Sequence, residues 1–176
     1  MHYKSLEKYY FIKSLDTNNI KNQDKETIII YRNYTSSKND ISGILKLKKF
    51  LKKKGNKFFL ANNIKLALKL RLDGAYIPSF NEKLSHLSYS FYPNFTIIGS
   101  AHNLKEMRIK ELQKVQRIFI SSLFKKNKNY LGLNKFRLIS KYTRKDVVAL
   151  GGITKENLKK LRLINISQFA GISYFE

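Results

Sequence analysis

Short runs of β-branched and aromatic residues alternate with lysine-rich amphipathic segments along nearly the whole chain, and this alternation restricts the available folds more than any single motif does. Eight runs have strand character: residues 9–14, 27–34, 57–61, 74–78, 95–100, 117–122, 146–151 and 168–173. Between the second and third, Ile41, Ile44, Leu45, Leu47, Phe50 and Leu51 form an apolar stripe with lysines opposite. That pattern predicts a helix over 40–54 stopped by Gly55. Further helices are expected over 63–71, 81–90, 103–115, 134–142 and 155–163, the last with Thr154 as its N-cap. Strands that alternate with helices make a parallel sheet with crossover connections, and eight repeats favour closure into an α/β barrel of the TIM (β/α)8 type.

The barrel is expected to be small and trimmed. Its 176 residues fall below the ~200 such a barrel normally needs, so one domain over 1–176 is expected. Residues 15–26 are too polar for a firm first helix, and no helix follows the last strand. The apolar strip so left between the first and last strands needs a cover, either residues 1–8 or a second subunit in a homodimer.

Charge and missing residue types narrow the chemistry. The 35 basic residues against 12 acidic ones give a net charge of +23, which attracts nucleic acid, anionic membrane or phosphorylated small molecules. Much of the excess is lysine, accompanied by asparagine and isoleucine, as compositional drift alone would produce. Without cysteine there is no disulfide, thiolate zinc site or cysteine nucleophile, and His2, His86 and His102 are too scattered for a transition-metal centre. No apolar run reaches the ~18 residues of a membrane span and Met1 to Lys4 lack a secretory core, so a cytoplasmic protein is expected.

Four local patterns carry chemistry. Ala149-Leu150-Gly151-Gly152-Ile153-Thr154 ends a buried strand in two glycines before a helix, either a close approach of amides to phosphate or a tight turn. Ile97-Ile98-Gly99-Ser100-Ala101-His102-Asn103 brings a serine and a histidine to the end of the fifth strand, where the histidine is either a base or a helix-capping or packing residue. The loop from Leu123 to Leu133, with Lys125, Lys126 and Lys128, is either a lid over a diphosphate or a solvated charge run. Arg32, near the end of the second strand, has the fork geometry that grips an anion. Asp73 is read as structural, and Asp16 and Glu82 stand unpaired on the mouth side, which leaves no carboxylate set for tight magnesium binding.

Taken in order, Ala61-Asn62-Asn63-Ile64-Lys65-Leu66-Ala67-Leu68, Asp73-Gly74-Ala75-Tyr76-Ile77, Ser100-Ala101-His102 with Leu104 and Glu106, and Gly151-Gly152-Ile153 resemble the landmarks of the thiamine-phosphate synthase and thiazole tautomerase family. The resemblance implies a synthase that joins a pyrimidine diphosphate to a thiazole phosphate and releases diphosphate, with magnesium neutralising the leaving group. It implies that Arg32, Ser100, Lys125, Lys126 and Lys128 face the diphosphate, and that Gly151, Gly152 and Ser173 hold the thiazole phosphate. Asn62, Asn81, His102 and Ser122 complete the implied substrate contacts.

The departures from that pattern are as informative. The two family aspartates that hold magnesium fall on Asn62 and Asn81, and the glutamine and lysine flanking the strand-two arginine fall on Ile30 and Tyr34. The histidine of the tautomerase branch falls on Ser122. A weakened synthase and an inactive phosphorylated-thiazole binder therefore both stay open, beside a basic RNA-binding protein on the same fold. Against the last, the lysines are spread over every helix and no aromatic recognition motif stands out.

Overall fold

The computed structural model describes residues 6–34 and 40–176. Eight strands, β1 (Glu7–Ile12), β2 (Ile28–Tyr31), β3 (Phe58–Ala61), β4 (Gly74–Ile77), β5 (Thr96–Ala101), β6 (Arg117–Ser121), β7 (Asp146–Leu150) and β8 (Gln168–Gly171), pair parallel in chain order. β8 returns to β1 with Tyr9 opposite Ala170, so the sheet closes into the expected TIM-type barrel. Every predicted strand is present, with ends within two residues of expectation except for β2, which stops three residues early at Tyr31.

Two cores follow from the two-residue period of the strands. Tyr9, Phe11, Ile28, Ile30, Phe59, Tyr76, Ile98, Phe119 and Val148 point into the lumen and fill it. The rings of Phe11, Tyr76 and Phe119 meet edge to face, with centroids 5.1 Å apart for Phe11 and Tyr76 and 5.7 Å apart for Tyr76 and Phe119. Full burial of each such side chain is worth ~1.5–3 kcal/mol. The alternate positions, among them Tyr10, Ile29, Phe58, Leu60, Ile97 and Phe169, face outward under the helices. Five α-helices follow strands: α1 (Asn18–Lys21) is a single turn, as the polar sequence there demands, and α2 (Ile41–Lys54) ends at Gly55 with φ of 86°. α3 (Ile64–Lys69) is capped by Asn63, and α4 (Leu104–Leu112) by Asn103. α5 (Gly132–Ser140) precedes β7.

Two expected helices do not form. Residues 81–90 contain only a 3-10 turn at Ser85–Ser88. Its surroundings explain why: the carbonyls of Pro78, Asn81 and Lys83 are taken by the side chains of Lys110 and Gln113, so they are not offered to a helical ladder. Ser88 Oγ also donates to the Ser85 carbonyl, a local bond that competes with helix. Residues 155–163 give way to a 3-10 segment, Leu158–Ile164. Leu158, Leu161 and Ile164 recur every three residues, which matches the 3-10 period. Thr154 is not an N-cap; its amide donates to Asn157 Oδ1 at 3.0 Å.

The seam between β8 and β1 is covered from the C-terminal side. Phe175 stacks on Tyr10 at 4.7 Å, and Tyr174 meets Phe169 edge-on at 4.7 Å. These residues supply the cover that residues 1–8 or a second subunit were expected to give; of that arm, residues 1–5 lie outside the described residues. The opposite end of the lumen is closed by Arg117, which donates to Glu7 at 2.8 Å and to the Tyr9 hydroxyl. Burial pushes the Tyr9 phenol well above its ordinary range. Asp73 is structural, accepting from the Phe58 amide at 2.8 Å.

Candidate functional site at the barrel mouth

Two separate cavities at the C-terminal strand ends hold most of the predicted site residues. One, of about 220 Å³, is lined by Arg32, Ser122, Lys125, Gly151, Gly152 and Ser173, with Phe11 and Leu150 beneath them. Six residues predicted from four distant stretches of sequence therefore meet at one place. Arg32 follows β2 and is fixed through its amide, which donates to the Ile12 carbonyl at 2.8 Å. Its guanidinium lies 4.8 Å above the Phe11 ring. Among the described residues no carboxylate pairs with it, so its donors are open to an anion.

The backbone of the glycine pair fits the tight-turn reading. Gly151 and Gly152 have φ of 104° and 72°, in the left-handed region. A Cβ on Gly152 would stand 2.6 Å from the Lys125 nitrogen, and one on Gly151 would stand 2.9 Å from Ser122 Cα. The pair thus lets the β7 loop press against the β6 loop. Asn157 holds it from behind, its Nδ2 donating to the Gly152 carbonyl at 2.8 Å. Because no α-helix follows, the expected helix N-terminus is missing, and the positive field at this rim comes from Arg32 and Lys125.

The lysine loop is anchored at its base. Leu123 and Phe124 donate to the carbonyls of Leu150 and Gly151, and Ser122 Oγ donates to the Lys125 carbonyl at 2.9 Å. Lys125 lines the cavity; Lys126 and Lys128 are exposed outside it. Ser100 does not reach the cavity. It faces the lumen, 4 % exposed, and hydrogen-bonds the buried Tyr76 phenol. Burial pushes that phenol up, while the Ser100 bond and the Arg32 charge act against it. His102 is occupied locally: its Nδ1 pairs with Glu106 Oε2 at 2.9 Å and its amide donates to the same oxygen at 2.7 Å. Asn103, not His102, is the N-cap of α4, its Oδ1 accepting from the Glu106 amide, and His102 is held beside the cap by Glu106.

The second cavity, of about 380 Å³, holds Asn62, Lys65, Asn81, Glu82, Lys83 and His86 and shares no lining residue with the first. Asn62, at φ of 61°, ends β3 in the left-handed conformation that asparagine tolerates. Asn81 Nδ2 donates to Asn62 Oδ1 at 2.7 Å, and Asn81 Oδ1 accepts from the Lys83 amide at 3.0 Å. The residues do not fit a tight magnesium site. Both amide oxygens already accept hydrogen bonds, Glu82 is the single carboxylate of the lining, and no group of three or more ligating side chains occurs among the described residues.

Sequence reasoning missed what holds this second site. Lys110, fully buried on α4, donates to the carbonyls of Pro78 at 2.9 Å and Asn81 at 2.8 Å and to Gln113 Oε1 at 2.8 Å. Gln113 Nε2 adds bonds to the Asn81 and Lys83 carbonyls. Burial holds the Lys110 amine down at about 8, against the opposing influence of Glu106 and Glu82. Its position three residues after the buried Met107 was the available signal, a lysine on the apolar face of a helix.

Comparison with known proteins agrees with the fold and places the chain in a family. Residues 17–175 match the sequence profile of a family described as thiamine monophosphate synthase. The thiamine-phosphate synthase of Methanococcus vannielii is 29% identical over 120 residues, covering 66% of this chain and 58% of that protein. The thiamine-phosphate synthase of Lactococcus lactis subsp. cremoris is 25% identical over 156 residues, covering 86% and 69%. The solved thiamine phosphate pyrophosphorylase from Pyrococcus furiosus superposes with a TM-score of 0.77 at 21% identity, over 96% of this chain and 86% of that one, which supports the fold. The matched segment thus spans about three fifths of the archaeal relative's length.

Proposed function

Since the chain belongs to the thiamine monophosphate synthase family, we propose that it serves thiamine biosynthesis, joining a pyrimidine diphosphate to a thiazole phosphate with release of diphosphate. The observation that supports this most is the convergence of Arg32, Ser122, Lys125, Gly151, Gly152 and Ser173 on one cavity at the barrel mouth. The chemistry asked of the protein is electrostatic. As the carbon–oxygen bond to the diphosphate breaks, its electron pair leaves with the diphosphate, and a cation fixed nearby lowers the barrier. Arg32 and Lys125 are the cations at this rim, and Arg32 is held in place by its amide bond and by Phe11. The glycine pair and Ser173 are suited to the phosphate of the second substrate.

A ligand-holding relic is the second reading, favoured by the Asn62–Asn81 pair. Calorimetric titration with thiazole phosphate and with pyrimidine diphosphate, combined with an assay for diphosphate release, separates the two. Binding with release supports the synthase, and binding without release the relic. If neither ligand binds, the thiamine reading is wrong, and the basic surface becomes the feature to test against RNA.

A further inference from the structure

In this chain the place between the β3 and β4 loops is filled by an amide. Asn81 Nδ2 donates to Asn62 Oδ1, a bond of 2.7 Å that joins the two loops directly. A divalent ion would perform that joining with oxygen ligands on both sides, whereas here one side presents an N–H donor. The charge beneath the loops has a source of its own. The Lys110 ammonium is buried 2.8 Å from the Asn81 carbonyl, and its stem crosses β5 at Gly99, where a Cβ would come within 2.8 Å of Lys110 Cδ. Lys65 and Lys83 line the same cavity, opposed by Glu82 alone, so an arriving divalent cation meets net positive charge.

We propose that this rim is built to work without a divalent cation: the Asn62–Asn81 bond joins the loops, and Lys110 supplies fixed positive charge beneath them. The inference deepens the synthase reading and rests on it only for the ligand. No cation is needed at the working site, because its two tasks are already performed by the protein. A phosphorylated ligand at the mouth is held by the protein's own cations, and chelators leave its affinity unchanged.

The test is titration of the full chain with Mn2+ alone, followed by paramagnetic resonance, beside the Asn62→Asp/Asn81→Asp variant and the single Asn62→Asp. The native chain is expected to show no saturable Mn2+ binding, and the aspartate variants to gain at least tenfold in affinity. Saturable Mn2+ binding by the native chain, competed by Mg2+ and lost in Asn62→Ala, overturns the proposal. In a second arm, pyrophosphate affinity is compared with EDTA and with Mg2+. Agreement within twofold supports the proposal, and a tenfold loss on chelation overturns it. Because the Mn2+ titration contains no phosphorylated ligand, its result stands whatever becomes of the thiamine reading.

Discussion

Replacing Gly152 with alanine tests the contact between the β6 and β7 loops. Two costs combine there. The left-handed backbone at φ of 72° costs an alanine ~1–2 kcal/mol. The new Cβ, 2.6 Å from the Lys125 nitrogen, meets backbone that cannot rotate away, and such overpacking adds ~1–3 kcal/mol. Gly55→Ala isolates the first cost, since its φ of 86° is as strained but its nearest neighbour is Lys25 Cβ at 3.7 Å. For a chain of this size each kcal/mol moves Tm by ~2–4 °C, so Gly152→Ala should lower Tm by about 9 °C and Gly55→Ala by about 4 °C. Scanning calorimetry on both reads the difference, and titration with inorganic phosphate should show binding reduced at least tenfold in Gly152→Ala alone. Equal falls in Tm for the two variants would refute the close approach of the loops. Unchanged phosphate binding in Gly152→Ala would refute the role given to the glycine pair.

Other expectations follow from the same geometry. Arg32→Ala should weaken pyrophosphate binding by at least tenfold, measured by calorimetry, and Arg32→Lys should recover only part of it because the fork geometry is lost. Phe175→Ala should remove the stacking partner of Tyr10 and destabilise by about 2 kcal/mol, read as a lower urea midpoint. Lys110 gives a pH effect of defined sign. Its folded pKa, lowered from 10.5 to about 8, lies below the unfolded value, so between those two pH values the unfolded chain binds more protons. The penalty for burying the ammonium is present in full below pH 8 and is relieved as pH rises through the window, on the order of 3 kcal/mol at most. Urea unfolding of the native chain and Lys110→Met at pH 7.5 and 10 should show that extra gain only in the native chain. Equal gains in both would show that Lys110 does not carry it.

The strands were legible because burial inside a closed barrel forces apolar residues into short runs, and runs such as Ile28 to Tyr31 and Phe58 to Ala61 contain little else. The rim residues Arg32, Gly151 and Gly152 were legible because they stand at the ends of those runs. What failed were the connections. The helix expected over 81–90 depends on Lys110 and Gln113 arriving from α4, and no local pattern in 81–90 records a partner about 30 residues away. A period of 3.6 predicts an α-helix after Gly152, whereas Leu158, Leu161 and Ile164 repeat every three. Ser100 stands next to the end of its strand, which predicts a place at the rim. Its face was also readable, since Ile98 and Ser100 share the lumen side and Tyr76 lies there to bond it.

The aromatic packing of the lumen bears on how such a protein changes over time. Phe11, Tyr76 and Phe119 close the barrel just below the mouth, so its cohesion does not depend on Asn62, Asn81 or Ser122. Substitutions of rim side chains such as Asn62 and Asn81 are screened mainly by selection for chemistry, whereas the glycine pair at the same rim and the aromatic floor below it are also held by selection for folding. A lineage relieved of one demand at the mouth can therefore exchange rim side chains singly, each intermediate still folded, and arrive at a different electrostatic solution without passing through an unstable ancestor.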